Sequence, residues 1–255
     1  MGIILKDNYT APIDSIVSSV IREYDLKEAG FNIIINEGLL SEKYINKLKE
    51  KTKDERTILI GKLMRKSKEL NRSLTQSFGK VRKEFIELND ISEDKILSIK
   101  KDAIFVLNDR AEKEKFRGYN FRMKNKYSSF FKLSEKEFYY SSWKRSIDIK
   151  GINDKVKEDH KDYLIERIMR IMKLNETNSK ENMIKILRMF RSEYLNRELD
   201  IEYYREFNSR NMFKYNFKLG KDGVYSENVD NFMKEELDIT YNYFNIIIPL
   251  ISIII

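Results

Sequence analysis

An α+β fold with segregated elements is what this chain predicts, and three observations carry the expectation. Proline occurs only at Pro12 and Pro249 and glycine only nine times, so long helices are open to most of the chain. Apolar residues recur at helical spacing between residues 41 and 88 and again after Gly151. Between these regions, from Ile96 to about Ile149, they become β-branched or aromatic and fall into short runs divided by polar turns. Helices, then a β-rich middle, then helices again is the pattern of an antiparallel sheet with segregated helices.

Taken in order, residues 13–24 lead into Asp25 as a helix or a strand. Ser41 is suited to open a helix with Glu42 and Lys43 in its first turn. A second helix, about 54–68, sets Ile58, Leu59, Leu63 and Met64 at helical spacing. A third carries Leu74, Phe78, Val81, Phe85 and Ile86 on one face and ends at Asn89-Asp90. Strands are expected at 96–107, 119–121, 127–133, 137–140 and 146–149. Beyond Gly151, one helical stripe is Tyr163, Leu164, Ile168, Ile171 and Met172, and another is Met183, Ile184, Ile186, Leu187, Met189 and Phe190. No repeat or low-complexity linker divides the chain.

Charged residues make up 35% of the 255 and the formal net charge is +8. Such a balance points to a polyanionic partner, nucleic acid first, against the plainer account of an AT-rich genome favouring Lys, Asn and Ile codons. The chain has no cysteine, which excludes disulfides and thiolate metal sites. Its one histidine, His160, excludes a His-rich zinc site and most Ser–His or Cys–His triads. What remains is hard-metal chemistry on carboxylates, with Mg²⁺ or Mn²⁺ as the natural occupant. No basic stretch followed by a long apolar run opens the chain, so a cytoplasmic protein is expected. Residues 243–255 are apolar but interrupted by Pro249. They fall short of the roughly 20 residues that span a bilayer, so a buried terminal segment is expected and no membrane anchor.

Two hydrophobic segments each carry an acid. One is Tyr24-Asp25-Leu26-Lys27-Glu28-Ala29-Gly30-Phe31-Asn32-Ile33-Ile34, the other Ile96-Leu97-Ser98-Ile99-Lys100-Lys101-Asp102-Ala103-Ile104-Phe105-Val106. Laid side by side as strands, they would set Asp25 against Asp102, and two facing carboxylates need a divalent cation between them. Taken separately, Asp25 also reads as a helix N-cap or surface acid, and Asp102 as a turn acid beside two lysines.

The order of these pieces resembles the polymerase core of family B DNA polymerases. The first palm motif of that family, an Asp followed by a small residue, an aromatic turn and an aliphatic run, is similar to Asp25 through Ile34. The family tyrosine that excludes a ribose 2′-hydroxyl falls on Gly30, which leaves sugar discrimination open. The third motif, Asp-Thr-Asp-Ser and an aliphatic strand, resembles Lys100-Lys101-Asp102-Ala103 followed by Ile104-Phe105-Val106, with Lys100 in place of the first acid. Lys124-Asn125-Lys126-Tyr127 with Ser128-Ser129-Phe130 resembles the lysine–tyrosine strand that holds the primer terminus. Asp148-Ile149-Lys150-Gly151-Ile152 resembles the strand end that leads into the thumb. The family's Lys-x₃-Asn-Ser-x-Tyr-Gly fingers signature is missing, and Arg56 to Gly61 is nearer the Lys-x₄-Gly spacing of family A fingers.

The resemblance implies a polymerase-like palm with an antiparallel sheet from residues 1–41 and 89–152, and a helical fingers-like insertion over 42–88. A helical thumb-like region over 153–255 would include Leu199-Asp200-Ile201-Glu202-Tyr203-Tyr204 and end in the apolar C-terminal segment. Asp25 and Asp102 would hold Mg²⁺ or Mn²⁺ and carry catalysis. Arg56, Lys62 and Arg65 would hold the triphosphate of an incoming dNTP by charge-assisted hydrogen bonds. Lys124, Lys126, Tyr127 and Lys150 would contact primed DNA. The lysines and arginines between 124 and 150 interleave with aromatic residues, which suits a backbone-tracking groove with aromatic platforms, or a core with solvated lysines. The resemblance also implies a phage or prophage source, and it leaves room for a separate exonuclease or replisome subunit. The reading is a template-directed DNA polymerase core using two metals. Behind it stand a catalytically inactive polymerase-like nucleic-acid-binding replication accessory protein and a helical regulatory or host-interaction protein.

Overall fold

Strand gives way to helix in this chain at corners set by a few local contacts. The computed structural model describes residues 2–13, 16–133, 136–150, 158–177, 179–195 and 198. Its elements are β1 (Asn8–Thr10), β2 (Val17–Leu26), α1 (Ala29–Asn36), α2 (Glu42–Lys49), α3 (Lys53–Lys66), α4 (Lys68–Leu88), β3 (Ile96–Lys100) and β4 (Ala103–Leu107). They continue as β5 (Lys115–Phe116), β6 (Tyr119–Leu133), β7 (Lys136–Ser141), β8 (Ser146–Lys150), α5 (Glu158–Glu176) and α6 (Lys180–Leu195). The class is α+β. The chain divides into two compact units, one of Met1–Pro12 and Ser19–Tyr127, the other of Ile13–Ser18 and Ser128–Ile255.

In the first unit the strands follow the order β1-β3-β4-β2-β6. The pairings β1–β3, β3–β4 and β2–β4 are antiparallel, and the β2–β4 register sets Tyr24 opposite Ile104 and Asp25 opposite Ala103. Side chains alternate faces along a strand. Tyr24, Leu26, Ile104 and Val106 therefore share a face and join one buried cluster with Ile33 and Ile34 of α1 and Val81, Phe85 and Ile86 of α4. Phe85 anchors that cluster, its ring centre 4.2 Å from Phe121 and 5.4 Å from Tyr24. The Tyr24 hydroxyl is satisfied inside it, accepting from the Ala111 N–H at 2.8 Å.

Helix starts follow their caps. Thr52 and Glu55 form a reciprocal capping box at the start of α3. The α3–α4 joint is Ser67 alone, whose hydroxyl accepts from the Leu70 N–H at 3.1 Å. The helix expected over about 54–68 thus stops at Lys66, and residues 42–88 form three helices, α2 to α4.

Three other expectations resolve differently. Residues 96–107 are a hairpin, because Lys101 turns the chain at φ 51°. Residues 119–133 are one strand, since its polar middle is tolerated on an exposed face while Phe121 and Tyr127 stay buried at its ends. The aliphatic run Phe31–Ile34 is helical, and Ile33 and Ile34 reach the core from there. In the second unit, β7 pairs antiparallel with the end of β6 and with β8, stacking Phe131 on Phe138 with ring centres 4.5 Å apart. Ile168, Ile171 and Met172 of α5 and Met183 of α6 are buried there. Residues 199–255, including Tyr203-Tyr204 and the apolar C-terminal run, lie outside the described residues. Among those described, no helix is long and apolar enough to cross a membrane.

Arg82 locks the N-terminal segment onto α4. Only 1% of it is exposed, on a helix face otherwise made of Leu74, Val81, Phe85 and Ile86. Its Nε donates to the Ile4 carbonyl at 3.2 Å, Nη2 to the Lys6 carbonyl at 2.9 Å, and Nη1 to the Lys101 carbonyl. One turn earlier, Gly79 lets the chain come close: a Cβ there would lie 3.4 Å from the Leu5 backbone. Replacing Arg82 with Met leaves the buried Ile4 carbonyl and the part-buried Lys6 and Lys101 carbonyls without this donor, the buried one costing about 1–3 kcal/mol and the others less. Arg82→Met is expected to lower the urea unfolding free energy by roughly 3–5 kcal/mol. A loss under about 1 kcal/mol would mean that the N-terminal segment is held by packing alone.

Candidate nucleotide and metal site

Asp25 is the last but one residue of β2, and Asp102 is the second residue of the two-residue turn joining β3 to β4. Register brings them together. Asp25 is the Cα partner of Ala103, and the next residue, Leu26, donates its N–H to the Asp102 carbonyl at 3.1 Å. Both acids line one cavity of about 430 Å³. The turn that presents Asp102 is held at both ends of its strained residue. Lys101 donates its N–H to the Asp7 carbonyl at 2.8 Å, while its own carbonyl accepts from Arg82.

The two carboxylates feel each other. Burial raises the Asp102 pKa above the usual carboxylate value, and the charge of Asp25 raises it further, with Lys124 and Lys101 pulling the other way. Arg122, from β6, places Nη2 3.7 Å from the Asp25 carboxylate. Glu23 lies on the same face as Asp25, two residues before it, and is only 2% exposed. It accepts from Asn125 Nδ2 at 2.7 Å and from the Tyr127 hydroxyl at 2.9 Å, and Lys124 Nζ stands 3.7 Å away. Lys124 and Tyr127 are thereby tied to a buried acid behind the site, and Lys126 follows on the same strand. Lys100 turns toward β1, donating to Asn8 Oδ1 at 2.7 Å and Thr10 Oγ1 at 3.3 Å.

The facing wall comes from α1 and α3. Lys53, Arg56, Thr57, Ile60, Gly61 and Met64 all line the cavity. Their spacing of three and four marks one helix face. Lys62 and Arg65 are not in that lining, and Arg65 Nε donates back to the Gly61 carbonyl of its own helix at 3.2 Å. Arg56 Nη2 donates to Glu28 Oε2 at 2.8 Å, and its guanidinium carbon sits 4.3 Å from the centre of the Phe31 ring. Lys150 is in β8, opposite Glu137, in the second unit. Five residues of this neighbourhood were not singled out by sequence: Glu23, Glu28, Lys53, Arg82 and Arg122. Of these, Arg82 carried a visible signal, a charge in the middle of the apolar stripe of α4.

The donor set suits magnesium or manganese. Asp25 and Asp102 supply two hard oxygen ligands, and the described residues hold no group of three or more acids or histidines able to bind a metal. Mg²⁺ is commonly held by one or two carboxylates, with water and substrate phosphates completing the octahedron. A dedicated calcium cage or a zinc centre needs more protein ligands than these.

Because the folded chain holds the Asp102 proton more tightly than an unfolded chain, the stability linked to that proton is complete at low pH. It is lost as pH rises through the folded value. Without metal at neutral pH, Asp102→Asn is therefore expected to raise the melting temperature, by about 2–4 °C for each kcal/mol of burial cost and repulsion relieved. If the two acids hold Mn²⁺, the parent should melt higher with the metal than without it, and the same substitution should abolish that difference. A metal-free variant that melts below the parent would remove the repulsion from the account.

Compared with known proteins, the chain has no match among curated proteins. A family model described as bacteriophage PBS1 gene 130 protein matches residues 2–255. This agrees with the phage source expected from the sequence. With nearly its whole length matched, the chain belongs to the bacteriophage PBS1 gene 130 protein family.

Proposed function

We propose that the chain is a template-directed DNA polymerase core that transfers nucleotides from dNTPs to a primer 3′-hydroxyl. The observation that carries the reading is the meeting of Asp25 and Asp102 at one cavity whose facing helix presents Lys53 and Arg56. Asp25 and Asp102 would hold Mg²⁺ or Mn²⁺, which would supply charge neutralisation for the transferring phosphate. Lys53 and Arg56 take the polyphosphate, where negative charge builds as pyrophosphate leaves. Transfer forms one bond, from the primer 3′-oxygen to the α-phosphorus, and breaks two, the 3′ O–H bond, whose proton passes to water, and the bond from that phosphorus to the departing pyrophosphate. Ile60, Leu74 and Phe78 make the apolar side of the cavity and exclude water from the reacting groups. Arg122, Lys124 and Lys126, on the strand beside Asp25, are assigned to the primer–template backbone.

A second reading has its own observation. Arg122 already stands near Asp25 and Lys101 lines the cavity beside Asp102, so protein cations partly neutralise the acids without metal. In that case the chain binds primed DNA as an inactive accessory protein.

Primer extension with Mg²⁺ or Mn²⁺ separates the two. Asp25→Asn and Asp102→Asn are each expected to lower extension on the order of 10³-fold, the equivalent of several kcal/mol of lost charge stabilisation. Binding to primed DNA should survive both changes. No extension by the parent, with DNA binding intact, would favour the accessory reading. Equal extension by all three proteins would dismiss these acids as catalytic.

DNA affinity should also respond to salt. If Arg122, Lys124 and Lys126 each neutralise one phosphate, affinity should fall about 40-fold between about 50 and 200 mM salt. No binding even at low salt would leave the host-interaction reading in its place.

A further inference from the structure

We infer that Glu28 is an internal stand-in for a nucleotide phosphate at Arg56, and that a nucleoside triphosphate enters by displacing it. The inference rests on the nucleotidyl-transfer reading and concerns how the same cavity sets its affinity.

Four observations carry it. Arg56 reaches from α3 to Glu28 through one nitrogen, Nη2, at 2.8 Å, and both side chains are mostly buried at 17% and 21% exposure. Its Nε is buried and has no acceptor among the described residues. The guanidinium lies 4.3 Å from the Phe31 ring centre, a cation–π contact that steadies it. Finally, Glu28 is the N-cap residue of α1 at φ 46° and ψ 45°, yet its side chain makes no capping hydrogen bond to that helix. Its carboxylate is committed to Arg56 at the wall of a cavity that also holds Lys53, Lys101, Asp25 and Asp102.

A guanidinium presents its donors as a planar fork that a carboxylate or a phosphate can engage at two points. Glu28 engages one. A phosphate entering from the cavity can take Nη2 and the unpartnered Nε together, gaining a hydrogen bond that the resting pair lacks. The displaced Glu28 then adds its charge to a site already holding Asp25 and Asp102. Weak or singly charged anions do not repay that exchange, whereas a metal-bound triphosphate does. Glu28 therefore lowers nucleotide affinity and favours ligands with several phosphates.

The test is calorimetric binding of dATP, and separately of inorganic tripolyphosphate, to the full chain with Ca²⁺ and without primer. Parent, Glu28→Gln, Arg56→Gln and the double variant are compared, with circular dichroism confirming the fold. Glu28→Gly, which suits the left-handed backbone, serves as a second release variant. Removing the Glu28 charge is expected to tighten both ligands roughly 5- to 10-fold. Arg56→Gln should weaken them by about 10-fold or more, and in that background Glu28→Gln should change affinity by less than about 2-fold. If the parent binds and both Glu28 variants bind no more tightly, the stand-in role is overturned while the nucleotide site survives. If the parent and all variants bind neither ligand, the nucleotidyl-transfer reading falls and takes this inference with it.

Discussion

Arg82 spreads its guanidinium over the carbonyls of Ile4, Lys6 and Lys101, with the Asp7 carboxylate 3.5 Å away, and almost none of it meets solvent. Burial lowers its pKa, and the charges of Asp7 and Asp102 act to raise it again. An arginine remains charged under such pressure, as a lysine need not. The consequence for the site is mechanical first. Lys101 sits at a backbone angle that costs a non-glycine residue about 1–3 kcal/mol, and such angles persist only where the surroundings over-determine them. Here the determination comes from two sides, the Asp7 carbonyl on its N–H and Arg82 on its carbonyl. The next residue is Asp102. Its position is thus set by a helix and an N-terminal segment that are far from it in sequence.

The second consequence is electrostatic. Two carboxylates at one strand end repel, and a buried site magnifies the repulsion. The protein surrounds them with positive charge at graded distance. Arg122 stands 3.7 Å from Asp25, Lys124 and Lys101 act on Asp102, and the Arg82 guanidinium lies beneath the turn. None of these cations carries two charges, and Lys124 and Arg82 are also engaged elsewhere, by Glu23 and by backbone carbonyls. On the proposed function, a divalent ion with phosphate ligands would satisfy both acids together.

How far the sequence disclosed this depends on which residues are asked. The α4 stripe of Leu74, Phe78, Val81, Phe85 and Ile86 was legible because its 3.6-residue period is unambiguous. Asp102 was legible as a turn acid only as an alternative, because Lys-Lys-Asp interrupts two apolar runs that otherwise read as one strand over 96–107. The helix α1 was not, since Phe31–Ile34 suits a strand or a buried helix equally by pattern. What decides is tertiary: the corner after Leu26 and the burial of Ile33 and Ile34 in the core cluster. Among the basic residues of α3, Arg56 lies on the cavity face, whereas Lys62 follows Ile60 by two positions, about 200° around the helix. Composition alone treats those cations as equals. Lys53 and Glu28 acquire meaning only once α1 and α3 are side by side, and Arg122 only once β6 lies next to β2.

That corner links the acidic and basic ends of the cavity. Between Leu26 and Ala29 the chain turns from strand to helix, and Lys27 is pinned on both sides. Its N–H donates to the Asn120 carbonyl at 2.9 Å, and its carbonyl accepts from Asn32 Nδ2 at 2.6 Å. The Glu28 carbonyl then accepts the first helical bond, from the Asn32 N–H at 3.0 Å. These three hydrogen bonds tie down the backbone between Asp25 and the start of α1. The exchange inferred at Arg56 then asks only for rotation of the Glu28 side chain and leaves the strand that carries Asp25 in place. The N-terminus of α1, with its partial positive charge, remains beside the vacated position and favours whatever anion takes it. On the proposed function, metal geometry and phosphate affinity would in this way depend on neighbouring residues of one short segment.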